Sequence, residues 1–96
     1  MNDNPLMSYL FVVDSSTMSR DDAIDKIDKI KEVENWQKIL PDAAVLISRL
    51  TTKRLNDTIR DSLGEQRYLL TKLDSKNGWL AKKSWDFMNN PKSVYE

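Results

Sequence analysis

Apolar residues along this chain switch between two periods, and the switches mark its elements. The first apolar run is SYLFVVD, Ser8–Asp14. In an extended segment Tyr9, Phe11 and Val13 point one way, and Leu10 and Val12 the other. Apolar residues on both faces predict a central strand that is covered on both sides. The period then lengthens. Ser19, followed three residues later by Asp22, has the spacing of a helix N-cap, and acids fill the first turn. Ile24, Ile27 and Ile30 supply one apolar helical face. Asp22–Lys26 and Asp25–Lys29 have the spacing and orientation of i,i+4 ion pairs.

Extended patterning returns in NWQKILPDAAVLISRL. Pro41-Asp42 is a turn signal between a short strand, Trp36–Leu40, and a stronger one, Ala43–Arg49. The second is again apolar on both faces, through Ala44 and Leu46 and through Val45 and Ile47. The two read as a hairpin. A second helix follows, with Thr51 or Thr52 as N-cap, Leu55, Ile59 and Leu63 as its buried stripe, and Gly64 as its stop. Arg67–Leu73 is a fourth strand. The turn DSKNG leads to an amphipathic segment, WLAKKSWDFMNN, ended by Pro91. Trp79 and Trp85 in that segment are expected to form a hydrophobic cluster that anchors the tail.

The predicted order is strand, helix, strand, strand, helix, strand and a further helix. This is an α+β class with the ferredoxin-like βαββαβ plan, a four-stranded antiparallel sheet and an additional C-terminal helix. The 96 residues suffice for one domain, with residues 1–7 and 91–96 expected to be flexible tails. Two helices cover only one sheet face. The other needs a lid, either the C-terminal helix or the sheet of a second copy packed face to face about a twofold axis.

Composition narrows the chemistry. The chain has no cysteine and no histidine. Disulfides and thiolate metal sites are excluded, and the commonest general base is missing. A bound metal would need oxygen ligands, which favours Mg2+ or Mn2+. Only two glycines occur, so no glycine-rich phosphate loop exists. No stretch nears the roughly 18 apolar residues of a membrane span. The N-terminus lacks the basic and apolar regions of a signal peptide, so a cytoplasmic location without a membrane partner is expected.

Net charge is zero, yet residues 1–42 carry nine acids against five bases, and residues 43–96 carry ten bases against six acids. Lys53, Arg54, Arg60, Arg67 and Lys72 are the candidate phosphate contacts for RNA or DNA, with Lys76, Lys82 and Lys83 beyond them. The acids Asp21, Asp22 and Asp25 on the first helix offer a docking face for a protein partner, although a solvated helix face is the simpler account of them. Asp14, at the tip of the first strand, has two readings. It starts a loop, where Asp and Ser bond local backbone. Alternatively it is a metal ligand, paired with Asp14 of a second chain to activate water at a phosphodiester.

Four stretches resemble one family. These are Val13-Asp14 ending an apolar strand, the Trp36–Ile47 hairpin, Ile59-Arg60-Asp61-Ser62-Leu63 just ahead of Arg67–Leu73, and NGWLAKKSWDFMNN. Together they are similar to the small SinR-like proteins, relatives of the CRISPR-associated ribonuclease subunit of the adaptation complex. The resemblance covers most of residues 8–89. It implies a ferredoxin-like fold, a homodimer packed through its sheets, and a link to nucleic acid and mobile-element defence. It also implies that Asp14 lies near the dimer axis, where relatives bind a divalent metal. The expected function is a non-catalytic dimeric scaffold or nucleic-acid-associated binding protein. The alternative is a metal-dependent nuclease with Asp14 of both chains as its catalytic residues.

Overall fold

The computed structural model describes residues 4–95. Of the expected tails, residues 1–3 and 96 lie outside the described residues. The elements are β1 (Met7–Val13), α1 (Arg20–Ile27), β2 (Val33–Leu40), β3 (Ala43–Ser48), α2 (Thr52–Leu63), β4 (Tyr68–Lys72) and α3 (Lys82–Asn89). The four strands form one sheet in the order β2-β3-β1-β4, with every neighbouring pair antiparallel. The class is therefore α+β.

The two helix starts follow from their caps. Ser19 Oγ accepts from the Asp22 amide at 3.1 Å, and Thr51 Oγ1 from the Arg54 amide at 3.4 Å. Each satisfies a donor that the first turn leaves open. Gly64 closes α2 at φ +74°, a region that L side chains rarely adopt. α1 is shorter than its isoleucine spacing suggests. It ends at Ile27, and Ile30 lies in the following turn, where its amide donates to the Ile27 carbonyl at 2.9 Å. Ile30 is still buried. The expected Asp22–Lys26 and Asp25–Lys29 ion pairs are not among those formed by the described residues. Lys29 falls beyond the helix end, and Asp21 instead takes Arg20 and Lys38, each at 3.0 Å.

Side-chain alternation splits the sheet into two apolar layers. Tyr9, Phe11, Val13, Ala44 and Leu46 face α1 and α2, where they meet Ile24, Ile27, Leu55, Ile59 and Leu63. Val45 and Ile47 face the other way, toward Met88 of α3, ringed by Leu6, Ile39, Leu73, Leu80, Trp85 and Phe87. All six residues of β3 are buried as a result. The lid on the second face is thus α3, fixed by a buried hydrogen bond from Ser8 Oγ to the Met88 carbonyl at 2.8 Å. The cover is incomplete: Leu69 of β4 is 60% exposed, and Leu40 at the end of β2 is 48% exposed.

The C-terminal stretch departs from its expected course twice. The helix begins only at Lys82, so Trp79 sits ahead of it and is 95% exposed, whereas Trp85 joins the cluster. The paired anchoring role expected of the two tryptophans holds for Trp85 alone. Residues 92–94, expected to be a loose tail, lie against β2. The Val94 amide donates to the Glu34 carbonyl at 2.8 Å, Asn35 Nδ2 donates to the Lys92 carbonyl at 3.0 Å, and Ser93 is buried.

Candidate functional site

Asp14 follows β1 directly. Its amide donates to the Arg67 carbonyl at 2.8 Å, which ties the end of β1 to the start of β4. Its carboxylate turns back on the loop. Asp14 Oδ1 accepts from the Ser16 amide at 3.0 Å and from Ser16 Oγ at 2.6 Å. The Asp14 carbonyl accepts from the Thr17 amide, Thr17 Oγ1 and the Met18 amide. This is an Asx-type turn, the local bonding that Asp-Ser-Ser favours. The Ser16 hydroxyl, then the Ser16 amide, and more weakly the Arg67 charge, hold the Asp14 carboxyl below its ordinary range.

An open depression of about 310 Å³ borders Asp14, Arg67 and Leu69. Among the described residues, no group of three or more acidic side chains converges there or elsewhere. Asp14 Oδ1 already accepts two hydrogen bonds, and the neighbouring Arg67 guanidinium opposes a cation. Among the described residues Asp14 is the one carboxylate bordering the depression, so a divalent metal there would take a second carboxylate from elsewhere.

The five candidate phosphate contacts fall on two adjacent elements. Lys53, Arg54 and Arg60 lie on α2, Lys72 ends β4, and Arg67 immediately precedes it. All five are exposed. Lys53 is engaged by Asp57 at 3.2 Å, and Lys72 by Asp74 at 3.7 Å. Arg54, Arg60 and Arg67 enter no ion pair among the described residues. The strand aromatics are not available beside them. Tyr9 and Phe11 are fully buried, and Tyr68 is turned under α2, where its hydroxyl donates to Asn56 Oδ1 at 2.6 Å. Phe11 and Tyr68 contact each other, with ring centroids 5.5 Å apart.

The acidic face of α1 is partly consumed within the chain. Asp21 is held low by Lys38 and then by Arg20. Asp28, just past the helix, accepts from Trp36 Nε1 at 2.7 Å. Asp22 and Asp25 remain exposed.

One feature escaped the reading of periodicity. Leu10, Leu40, Leu73, Trp79 and Trp85 line an apolar groove of about 360 Å³ on the second sheet face. The local signal was present in Asn77-Gly78, a turn pair directly ahead of Trp79. Trp79 lies in the irregular stretch that follows the pair, ahead of α3. Among the described residues, no helix is long and apolar enough to cross a membrane. No family model, curated protein or solved structure matches this chain.

Proposed function

We propose that this chain is a non-catalytic nucleic-acid-binding protein on a ferredoxin-like scaffold. The split βαβ reading is supported by the sheet order. Each helical crossover skips one strand: β1 and β2 flank β3, and β3 and β4 flank β1. The observation that carries the function is the row of exposed cations along α2 and β4. Three of them, Arg54, Arg60 and Arg67, have no ion-pair partner among the described residues. Such a row suits phosphate contacts, which supply affinity without sequence readout. The carboxylate chemistry favours binding over turnover, because Asp14 is engaged in its own turn and no histidine is present.

Fluorescence anisotropy with labelled DNA and RNA, single-stranded and duplex, tests this reading. The triple variant Arg54→Ala, Arg60→Ala and Arg67→Ala is expected to weaken binding and to flatten the salt dependence by about 2 to 3 in slope. Failure of the wild type to bind any of these probes refutes it. Cleavage in Mg2+ or Mn2+ that is lost in Asp14→Ala would establish the other reading, a nuclease with Asp14 drawn from two chains. The homodimer implied by the resemblance draws on exposed Leu69, beside half-buried Val12. A monomeric mass at micromolar concentration refutes it.

A further inference from the structure

Among the described residues, Trp79 is the most exposed of the large apolar side chains, at 95%. A tryptophan in that position costs solubility and contributes nothing to the core. Its surroundings are specific. Residues 75–83 read SKNGWLAKK, with three lysines and no acid. The groove beneath Trp79 is walled by Leu10, Ile39, Leu40 and Leu73, and among the described residues Lys76 is its one charged lining residue. Lys82 and Lys83 open α3 a few residues on, both exposed. Lys82 has Asp86 at 3.9 Å, and Lys83 has no ion pair among the described residues. The nearest acid before this stretch, Asp74, is turned to Lys72.

We infer that Trp79 and its three lysines form a stacking site for single-stranded nucleic acid, separate from the α2–β4 cations; this rests on the proposed function. A free aromatic face beside cations suits an unpaired base and its phosphates, since every base offers a π-face and the lysines track the backbone. A duplex keeps its bases stacked and gives Trp79 nothing to stack on. A second copy is a poorer occupant. A twofold contact uses the same patch on both partners, which brings Lys76, Lys82 and Lys83 toward their own copies. The placement also explains why buried Tyr9 and Phe11 are not needed as stacking groups. The chain presents its free aromatic from a loop.

The test uses the full chain with labelled oligo-dT and oligo-rU. Trp79→Ala is expected to weaken binding of both roughly 5- to 150-fold, and Trp79→Phe to retain much of it. The Lys76→Ala, Lys82→Ala, Lys83→Ala variant is expected to reduce the salt slope by about 2. Because Trp79 is exposed, the urea midpoint of Trp79→Ala should match the wild type, which separates lost binding from lost fold. Wild-type binding that Trp79→Ala leaves within about twofold overturns the stacking site and leaves the proposed function standing. No binding of any single strand or duplex by the wild type overturns both. A lower solution mass in Trp79→Ala without change in oligonucleotide binding assigns the groove to a second copy. Binding of Trp79 to anionic vesicles in place of oligonucleotides assigns it to a lipid surface. Either result overturns the inference.

Discussion

Replacing Met88 with alanine tests what closes the second face of the sheet. Met88 is 5% exposed and sits on Val45 and Ile47, the two fully buried residues of that face. Deleting a buried methionine side chain costs about 2–5 kcal/mol, from lost transfer energy and the cavity left behind. Here the low end applies, about 2 kcal/mol, because half-buried Ile39, Leu73 and Trp85 ring the site and the cavity opens partly to water. Against a total stability of about 5–15 kcal/mol for a domain, that is a large share. With a urea slope of about 2 kcal/mol per M, the midpoint should fall by about 1 M. Ser8→Ala, which removes the hydrogen bond to the Met88 carbonyl, should add a smaller loss of about 1 kcal/mol. The assay is equilibrium urea unfolding followed by far-UV circular dichroism at two protein concentrations. A loss below about 0.5 kcal/mol would refute the lid role of α3. A midpoint that rises with concentration would report the homodimer and leave the lid role of α3 to be judged by Met88→Ala.

Three further outcomes follow from single residues. Tyr9→Phe should cost about 1 kcal/mol in the same assay, because it leaves the half-buried Leu50 carbonyl without the hydroxyl donor now 2.5 Å away. Gly64→Ala should cost about 1–2 kcal/mol although the space around it is open, since the penalty comes from φ +74° and not from a clash; a neutral result would show that α2 can end otherwise. Asp14→Asn keeps an acceptor for Ser16 but removes the charge. The Asp14 carboxyl is lowered in the folded state, so its contribution is present above the ordinary carboxylate range and disappears as pH falls through the folded value. The stability difference between wild type and Asp14→Asn should therefore narrow on acidification, and a difference constant from neutral to strongly acid pH would contradict the Ser16 contacts.

Much of the fold was legible because its signals are local. Ser19, Thr51 and Gly64 mark helix ends through bonds and dihedrals within one turn of themselves, and Pro41-Asp42 marks the hairpin for the same reason. The two-sided apolar pattern required cover on both faces, and β3 has it, with Val45 and Ile47 fully buried, whereas Leu10 and Val12 of β1 are only half-buried. The pattern could not name the cover, since α3 and a second sheet both satisfy it. The Asx turn at Asp14 was legible in Asp-Ser-Ser. Its proximity to Arg67 was not, because β1 and β4 are brought together by hydrogen bonds between residues far apart in the chain.

The amino-acid sequence by itself determined the elements, their two apolar faces, the absence of histidine and cysteine chemistry, and the cations of α2 and β4. These depend on residue type and short spacing. Tertiary structure alone decided the strand order, the choice of α3 as lid and the exposure of Trp79. Each of these turns on which distant segment reaches a given surface first. Trp79 and Trp85 show the difference most clearly. They have the same side chain six residues apart, and one packs against the second-face cluster while the other stands in water.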